Sequence, residues 1–326
     1  MLRSRIVGTG AYLPERVLTN RDLEKTLDTS DEWIVSRTGI RQRHIAGDGE
    51  FTSDLATLAA RRALEMAGLS AADIDLILVA TVTGDFSWPA TACLVQSQLG
   101  AHRAFAFDLS AACSGFVYGL ATADSYLRSG NARRVLVIGA EIFSRIVDWT
   151  DRTTCILFGD GAGAVVLEAC DGDRGILSSH LHTDGSQWEL LYQLGSGSRN
   201  PSCGQEGKRC LPHIHMQGNE VFKVAVRAMC EAAEEALIAN AVDVGQLAYL
   251  IPHQANRRIL EATARRLGLS PDKLVMNLDR VGNTSGASIP LALDELNRCG
   301  GLNPDDLILF DAFGGGFAWG SVLLRW

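Results

Sequence analysis

The sequence has little proline and no hydrophobic run long enough to cross a membrane. Its 326 residues include 33 glycines but only 8 prolines, and 47% of them are hydrophobic. The apolar runs at 74–82, 135–140, 247–251 and 307–310 have the length of strands, far below the length of a membrane span. The N-terminus enters a strand-like run without the apolar stretch and cleavage site of a signal peptide. These features predict a well-cored cytoplasmic protein of one or two domains.

The cysteines form no zinc-finger pattern. All eight are scattered, mostly inside apolar segments, and in a reducing compartment they are expected to be free thiols. One group lies close together in the sequence: Cys203, Cys210, His213 and His215. Neither its cysteine pair nor its histidine pair has finger spacing. A Gly/Ser-rich surface loop running into a strand is therefore favoured over a metal site, no metal is expected, and the role of this loop stays open.

The net charge of −8 argues against non-specific binding to nucleic acid. Positive charge is nevertheless dense on two predicted helices: Lys223 and Arg227 lie on one, and Arg257, Arg258, Arg265 and Arg266 on the other. Arg258 and Arg265 are seven residues apart and share a helix face. The patch is consistent either with an acidic partner or with an ordinary solvated helix face.

Cys113 lies where the pattern changes from strand to helix. Residues 103–108 are typical of a buried strand, and residues 114–128 of a helix that ends at Gly130. A thiol at such a junction faces the positive end of the helix dipole and free backbone N–H groups, which are expected to lower its pKa and favour the nucleophilic thiolate. The alternative is an inert buried cysteine.

The two halves of the chain repeat one order of helices and strands. The first has helices at 54–67, 91–99 and 114–128 with strands at 74–81, 103–108 and 134–139; the second has helices at 220–239, 256–267 and 288–298 with strands at 247–251, 274–278 and 306–310. An offset of 172 residues lays 78–81 on 250–253 and 134–139 on 306–311. This repetition predicts two similar α/β halves, residues 1–172 and 173–326, with largely parallel sheets.

Chemically useful groups follow the predicted strands of both halves. Cys113 follows a strand in the first half, while His253 ends one strand and Asn283 follows another in the second. Three glycines at 314–316 follow the last strand, where exposed N–H groups can hold an oxyanion. Because ligands bind at the carboxyl ends of strands, these groups are expected to meet near the junction of the halves.

These residues lie within motifs that resemble the β-ketoacyl-acyl-carrier-protein synthase III family, whose fold is thiolase-like. The motifs are TSDEWI at 29–34, RTGI at 37–40, FGDGAG at 158–163, HQAN at 253–256, GNTS at 282–285 and FGGG at 313–316. The resemblance covers essentially the whole chain. It implies two duplicated halves in a five-layer α-β-α-β-α arrangement, and an acyltransferase that condenses a short acyl-CoA, such as acetyl-CoA, with malonyl-acyl-carrier protein.

The resemblance also implies a role for individual residues. Cys113, His253 and Asn283 would form the catalytic triad, and the backbone N–H groups of Cys113 and Gly315 would form an oxyanion hole. The implied contacts of coenzyme A are Trp33, Arg37, Thr38, Arg152, Gly218, Asn219, Phe222, Ala255, Asn256 and Phe313. The implied contacts of the carrier protein are Lys223, Gln254, Ala255, Asn256, Arg257, Arg258, Arg265 and Arg266. Beyond the two thioester substrates, no cofactor is implied.

Trp88 aligns with a segment that family members extend across a homodimer interface to close the acyl pocket of the partner. The bulky indole predicts a short primer. A thiolase is disfavoured because the loop at 313–316 lacks its second catalytic cysteine, and a two-histidine elongating synthase because Asn283 stands in place of a second histidine. Condensing enzymes of secondary metabolism and a non-catalytic docking subunit remain as alternatives.

Overall fold

The structure is a computed structural model that describes residues 2–195, 197–199 and 213–326. Its strands are β1 (Leu2–Tyr12), β2 (Arg16–Thr19), β3 (Gln42–Ile45), β4 (Leu76–Ala80), β5 (Phe105–Leu109), β6 (Arg134–Ile142), β7 (Asp160–Asp171), β8 (Gly175–Thr183), β9 (Leu191–Gln193), β10 (Ile214–Met216), β11 (Leu247–Pro252), β12 (Leu307–Gly314) and β13 (Ala318–Arg325). Its helices are α1 (Asn20–Leu23), α2 (Asp31–Thr38), α3 (Thr52–Ala67), α4 (Thr91–Leu99), α5 (Gly115–Arg128), α6 (Gly218–Ala239), α7 (Arg257–Leu267), α8 (Leu278–Val281) and α9 (Ser288–Arg298).

Two mixed sheets form the centre of the fold. The first has the order β1-β7-β6-β4-β5 and the second β11-β12-β13-β8. Parallel pairing is confined to β6–β4, β4–β5 and β11–β12, and the remaining neighbours in both sheets are antiparallel. The expectation of largely parallel sheets is therefore wrong. Short connections, such as the one between β12 and β13, cannot make the crossover that a parallel pair requires.

Helices cover both faces of each sheet and produce five layers. Alanine-rich α3 packs with α4 on the outer face of the first sheet. The apolar faces of α5 and α9 are buried between the two sheets with residues such as Phe116 and Phe310. The outer face of the second sheet is covered by α6 and α7. The order α-β-α-β-α agrees with the predicted arrangement.

The central helices of the two halves begin with the same backbone turn. A short 3₁₀ turn over Ala112–Ser114 leads into α5, and another over Ser285–Ala287 leads into α9. The first residue of each turn has a positive φ, 46° at Ala112 and 49° at Ser285. Because a left-handed conformation is costly for residues other than glycine, its recurrence marks both turns as constrained. The two turns pack against each other at the centre of the molecule.

The strand predicted at 274–278 is wrong. Residue Leu274 makes only a single bridge to Leu250, and Leu278 already begins α8. The buried side chain of Gln254 supplies the hydrogen bonds that a neighbouring strand would otherwise make. Its Nε2 donates to the Val275 carbonyl over 3.2 Å, and its Oε1 accepts from the Asn277 N–H over 3.0 Å. Asn283 consequently follows a one-turn helix instead of a strand.

Within the described residues, no helix is both long enough and apolar enough to cross a membrane. The longest helix, α6, alternates buried alanines such as Ala228 and Ala232 with charged residues such as Arg227 and Glu231. This is the pattern of a helix with one face on a protein core.

Candidate active site

A cavity of about 1230 Å³ lies between the carboxyl ends of the strands of both halves. Its inner end is lined by Cys113, His253, Asn283, Phe313 and Gly315. The chain separates Cys113 from Gly315 by 202 positions, so only the packing of the two halves brings these residues together. The predicted meeting of strand-end groups is therefore observed.

Cys113 lies in the turn at the N-terminus of α5, and the glycine-rich loop packs directly on it. A Cβ atom added at Gly314 would lie 2.6 Å from the Cys113 backbone nitrogen, closer than real atoms approach. The next residue, Ser114, is buried and donates its hydroxyl to the Ala318 carbonyl over 2.8 Å. These contacts fix the position of Cys113 against the last strand pair.

The prediction of a lowered thiol pKa is wrong for the ligand-free protein. Burial raises the pKa of Cys113 to about 12, the negative charge of Glu141 acts in the same direction, and the Ser285 hydroxyl opposes them. The thiol is partly accessible from the cavity but otherwise enclosed by protein. Removal of water from around the sulfur outweighs the favourable position at the helix N-terminus.

His253 is buried and has a defined partner at one ring nitrogen. Its Nδ1 lies 2.8 Å from the Ser288 hydroxyl oxygen, and the same oxygen accepts the backbone N–H of Gln254 over 3.3 Å. Burial lowers the pKa of His253 to about 3, so the imidazole is neutral at physiological pH. Ser288 was not singled out in the sequence, although it lies five residues after Asn283.

Asn283 is held by both its backbone and its side chain. Its backbone N–H donates to the Leu157 carbonyl over 2.8 Å, and its carbonyl accepts from the Gly159 N–H over 3.0 Å. Its side-chain Oδ1 accepts the Ser285 N–H over 2.9 Å. Because the oxygen is used in this way, the Nδ2 amide is the part of the side chain left to act as a donor.

Glu141 is a buried carboxyl that the sequence analysis missed. It lies at the end of β6 and accepts hydrogen bonds from the Val82 and Thr83 backbones and from the Thr81 and Thr83 hydroxyls. Burial raises the pKa of Glu141 to about 7, against the lowering effect of these donors. The only sequence signal was a charged residue at the end of an otherwise apolar strand.

Trp33 at the mouth of the cavity is covered by two arginines. The guanidinium carbon of Arg37 lies 4.7 Å from the centre of its ring and that of Arg152 lies 5.2 Å from it. Arg152 also contacts Asp28. These are contact distances, so a flat base can enter between Trp33 and Arg152 only when the exposed Arg152 side chain moves.

The Thr38 hydroxyl is used within the protein. It donates to the Ile34 carbonyl over 2.7 Å and accepts the Ile40 N–H over 3.0 Å. The residue is buried at the C-terminal end of α2 and lines the cavity without a free donor. Thr38 therefore forms part of the cavity wall, and its contact with coenzyme A stays a prediction.

The middle of the cavity is lined by the other residues expected to contact coenzyme A: Gly218, Asn219, Phe222, Ala255 and Asn256. Asn256 caps α7 by accepting the Arg258 N–H over 2.8 Å, and its Nδ2 donates to the Arg37 carbonyl over 3.1 Å. The cap joins the C-terminal half to α2 at the cavity mouth. A passage from Trp33 to Cys113 is thus continuous within one cavity.

Exposed basic residues lie on α6 and α7, and two of them, Lys223 and Arg258, line the cavity. Lys223 pairs with Glu220 and Arg257 with Glu261, both over 2.8 Å, while Arg258 lies over the ring of Phe222. Arg265 and Arg266 are exposed in the last turn of α7. Gln254 is an exception: it is fully buried and bonded to backbone groups, so the prediction that it contacts a carrier protein is wrong.

Trp88 projects away from the cavity of its own chain. It is 84% exposed, and neighbouring Phe86 is 62% exposed. The residues that line the cavity do not include Trp88. The prediction that this indole closes a pocket therefore depends on a second copy of the chain.

Two members of the Cys203 group fall outside the described residues, namely Cys203 and Cys210. His213 lies 3.5 Å from an oxygen of Asp148, and His215 packs beside the ring of Tyr192. In the part of the chain that the structure describes, no group of three or more His, Cys, Asp or Glu side chains is arranged to hold a metal ion.

Family models and curated relatives both match this chain to one family. Residues 107–185 match the family described as 3-oxoacyl-[acyl-carrier-protein (ACP)] synthase III, and residues 237–326 match its C-terminal counterpart. The chain is 56% identical over 330 residues to the β-ketoacyl-[acyl-carrier-protein] synthase III of Paramagnetospirillum magneticum, covering 100% of this chain and 99% of that one. It is 58% identical over 328 residues to the synthase of the same description from Xanthomonas campestris pv. campestris, covering 99% and 98%.

Solved structures show the same similarity. The crystal structure of 3-oxoacyl-[acyl-carrier-protein] synthase III from Aquifex aeolicus VF5 superposes with a TM-score of 0.93 at 50% sequence identity. The match covers 99% of this chain and 100% of that one. Similarity of this extent includes both sheets.

Proposed function

Because the chain belongs to the β-ketoacyl-acyl-carrier-protein synthase III family, we propose that Cys113, His253 and Asn283 divide the reaction of this family between the two halves of the molecule. The enzyme is an acyltransferase of fatty-acid synthesis that condenses an acyl-CoA with malonyl-acyl-carrier protein. The products are a β-ketoacyl-carrier protein, CO₂ and coenzyme A. The observation that carries the assignment of residues is the single cavity into which all three project.

In the first half-reaction, the Cys113 sulfur attacks the thioester carbonyl of the acyl-CoA. A carbon–sulfur bond forms to Cys113, the bond to the coenzyme A sulfur breaks, and the acyl group is retained as a new thioester. The backbone N–H groups of Cys113 and Gly315 are the proposed donors to the oxyanion of the tetrahedral intermediate. The close packing of the glycine-rich loop on Cys113 supports this pairing.

In the second half-reaction, malonyl-carrier protein loses CO₂ and its thioester carbonyl becomes an enolate. The proposed donors to the enolate oxygen are His253 Nε2 and Asn283 Nδ2. No base is required at the α-carbon, because loss of CO₂ itself generates the carbanion. The carbanion then attacks the acyl thioester on Cys113 and frees the thiol.

Hydrogen bonds around His253 are compatible with the tautomer that this step requires. The Ser288 hydroxyl oxygen accepts the Gln254 N–H and lies 2.8 Å from His253 Nδ1, so its own proton can be donated to that nitrogen. A neutral imidazole that accepts at Nδ1 carries its proton on Nε2. His253 is then a hydrogen-bond donor to the enolate oxygen and not a base for the thiol.

The proposed docking surface for the acyl-carrier protein is the basic face of α6 and α7. Its members are Lys223, Arg257, Arg258, Arg265 and Arg266, with Ala255 and Asn256 at the adjacent cavity mouth. Charge on a rim steers an acidic partner and sets the rate of association more than the final affinity. The position of Arg258 over Phe222 supports docking directly above the cavity entrance.

We propose a homodimer in which Trp88 of one protomer limits the acyl pocket of the other. Strand β5 lies at an edge of the first sheet, and its Phe105 is 44% exposed. The exposed segment with Phe86 and Trp88 follows the adjacent strand β4. An unpaired edge beside exposed aromatic residues is the kind of surface that a second chain covers, and the indole supports a short primer such as acetyl-CoA.

The remaining parts of the proposal are the division of the chain into halves 1–172 and 173–326, a cytoplasmic location and the absence of a cofactor other than the two thioester substrates. The equivalent turns before α5 and α9 support the two halves. A partner that is a nucleic acid is not proposed, given the net charge of −8.

The experiment that tests the function is reconstitution with purified acyl-carrier protein. The enzyme is supplied with malonyl-carrier protein and one acyl-CoA at a time, from acetyl to lauroyl, and the β-ketoacyl-carrier protein is measured by mass spectrometry. A product from acetyl-CoA supports the proposal, and efficient use of lauroyl-CoA contradicts the short primer without affecting the catalytic residues.

A further inference from the structure

Arg43 on β3 is the largest fully buried side chain among the described residues, and the proposed reaction does not use it. The oxygens that accept its hydrogen bonds in this part of the chain are all neutral. Burial lowers the pKa of Arg43 to about 10, so the guanidinium is still charged at neutral pH. Because a buried charge without a counter-ion is costly, the contacts of this side chain call for an explanation.

The Arg43 guanidinium joins the hairpin of β2 and β3 to the wall of the cavity. Its Nη1 donates to Asn20 Oδ1 over 2.9 Å and to the Leu18 carbonyl over 3.3 Å. Its Nη2 donates to the Ile156 carbonyl over 2.5 Å. Residues 156–158 line the cavity, so one side chain connects the N-terminal region with this part of the wall.

The stem of Arg43 packs beneath the backbone that holds Asn283. The Asn283 N–H donates to the Leu157 carbonyl, and the Asn283 carbonyl accepts the Gly159 N–H. A Cβ atom added at Gly159 would lie 3.0 Å from Arg43 Cβ, and one added at Gly282 would lie 3.1 Å from the same atom. Arg43 therefore contacts both chain segments of this bridge.

This bridge is isolated from the sheets. Phe158 and Asn283 pair with each other in parallel, and neither belongs to a named strand. The segment 156–159 precedes β7, and α8 ends just before Asn283. A single bridge lacks the neighbouring ladder that fixes residues within a sheet. Contacts that hold the segment 156–159 consequently also set the position of Asn283.

His253 is held by other elements. Its backbone N–H donates over 2.8 Å to the carbonyl of Asp311 on β12, and its Nδ1 lies 2.8 Å from the hydroxyl oxygen of Ser288 on α9. Arg43 takes part in neither contact. A change at Arg43 should therefore displace Asn283 and leave His253 in place.

We propose that Arg43 is a positioning residue for Asn283, on which it acts through the backbone of residues 156–159. The described residues that line the cavity do not include Arg43, so it is not in contact with a substrate there. It fixes the Ile156 carbonyl and supports the glycines of the bridge, and this keeps the Asn283 side chain at the cavity. The inference rests on the proposed function, because it takes Asn283 as a donor to the enolate oxygen.

A purely structural role has a different consequence. Loss of stability lowers the amount of folded enzyme and affects both half-reactions, whatever side chain stands at position 283. Positioning acts through the Asn283 amide, so the effect of a substitution at Arg43 should vanish once that amide is removed. Such non-additivity is what a double-mutant cycle measures.

The test uses the full-length enzyme with four variants and one control. Arg43→Met keeps an unbranched stem and removes the guanidinium, whereas Arg43→Lys keeps the charge but cannot reproduce the fork. Asn283→Ala and the double variant Arg43→Met with Asn283→Ala complete the cycle. Ile74→Ala is the control, because it removes a buried side chain just before β4, at the end of the first sheet opposite to the cavity.

Two rates are measured per mole of folded enzyme: release of CO₂ from malonyl-carrier protein and acetylation of Cys113 by acetyl-CoA. We expect Arg43→Met to lower kcat for CO₂ release by about 10²-fold and Arg43→Lys by about tenfold, since small displacements of a reacting group are costly. KM for malonyl-carrier protein and the acetylation rate should change less than about twofold, because neither depends on the enolate. Ile74→Ala should leave both rates unchanged.

In the Asn283→Ala background, Arg43→Met should cause no further loss of CO₂ release. Equal slowing of both half-reactions, or the same loss from Arg43→Met with and without the Asn283 amide, would overturn the inference. Arg43→Lys decides the question by its ratio of the two rates if Arg43→Met does not fold. A wild-type enzyme that releases no CO₂, or an Asn283→Ala variant as fast as wild type, would instead reject the proposed function of Asn283.

Discussion

The turns before α5 and α9 have the same backbone and different chemistry. Both begin with a residue of positive φ, and both lead into a helix buried between the sheets. The second position holds the nucleophile Cys113 in one turn and Gly286 in the other, while the C-terminal turn carries Ser285 and follows Asn283. The difference is consistent with the proposal that one half of the molecule acts on the primer and the other on the extender.

The largest expected effect separates the acylation of Cys113 from the decarboxylation of malonyl-carrier protein. His253→Ala and Asn283→Ala should each slow decarboxylation of malonyl-carrier protein by an amount equivalent to about 2.7–4 kcal/mol, the usual cost of one lost oxyanion donor. Acetylation of Cys113 should remain in both variants, because the enolate exists only in the second half-reaction. Release of CO₂ and acetyl incorporation are measured separately. Equal loss of both would show that these residues serve the nucleophile.

A pair of glycine substitutions tests how tightly each turn is packed. Gly314→Ala places a Cβ 2.6 Å from the Cys113 nitrogen, whereas in Gly286→Ala the nearest atom is 3.5 Å away. Gly314→Ala is expected to lose acetylation and about 1–3 kcal/mol of stability through overpacking. Gly286→Ala should fold with little loss. Thermal or denaturant unfolding measures the stabilities of the two variants. Similar stabilities would contradict the claim that the glycine-rich loop is packed tightly on Cys113.

The basic face of α7 is predicted to affect only the extender. Changing Arg265 and Arg266, which do not line the cavity, to Glu should raise the KM for malonyl-carrier protein by about tenfold at low salt, since rim charges govern encounter. The rate of Cys113 acetylation by acetyl-CoA should change little. Added salt should produce a similar rise in KM for the unmodified enzyme. An unchanged KM would identify the patch as a solvated helix face.

The smallest expected effect concerns the primer side. Trp88→Ala should leave the rate with acetyl-CoA nearly unchanged and increase the relative rate with six- to eight-carbon acyl-CoAs, because removal of the indole enlarges the partner's pocket. Competition between two acyl-CoAs measures this preference within one sample. The same preference in both proteins would mean that the indole lies outside the pocket.

The sequence was sufficient to predict the six longest helices and most of the central strands. Helix 288–298 was predicted with the observed limits, and the sequence also predicted that Cys113, His253 and Asn283 meet. Local periodicity was enough for these helices, and strand-end placement was enough for Cys113 and His253. Asn283 follows α8 and not the strand from which its position was predicted.

The failures have tertiary causes. At 274–278, where a strand was expected, the backbone is hydrogen-bonded to the side chain of Gln254. Gln254 itself was predicted to contact the carrier protein because the sequence does not show that its side chain is buried. The lowered thiol pKa was inferred from the helix terminus alone, whereas burial and Glu141 dominate. Glu141 and Ser285 were missed because only the fold brings them to Cys113.

Covalent priming at Cys113 is the central claim, and peptide mass spectrometry after incubation with acetyl-CoA alone tests it most directly. The prediction is one acetyl group, found on the peptide that contains Cys113, in the unmodified enzyme and in His253→Ala. Cys113→Ser, which retains a weaker nucleophile, should carry little or no label. An acetyl group found only on another cysteine, or label that persists at wild-type level in Cys113→Ser, would contradict the account.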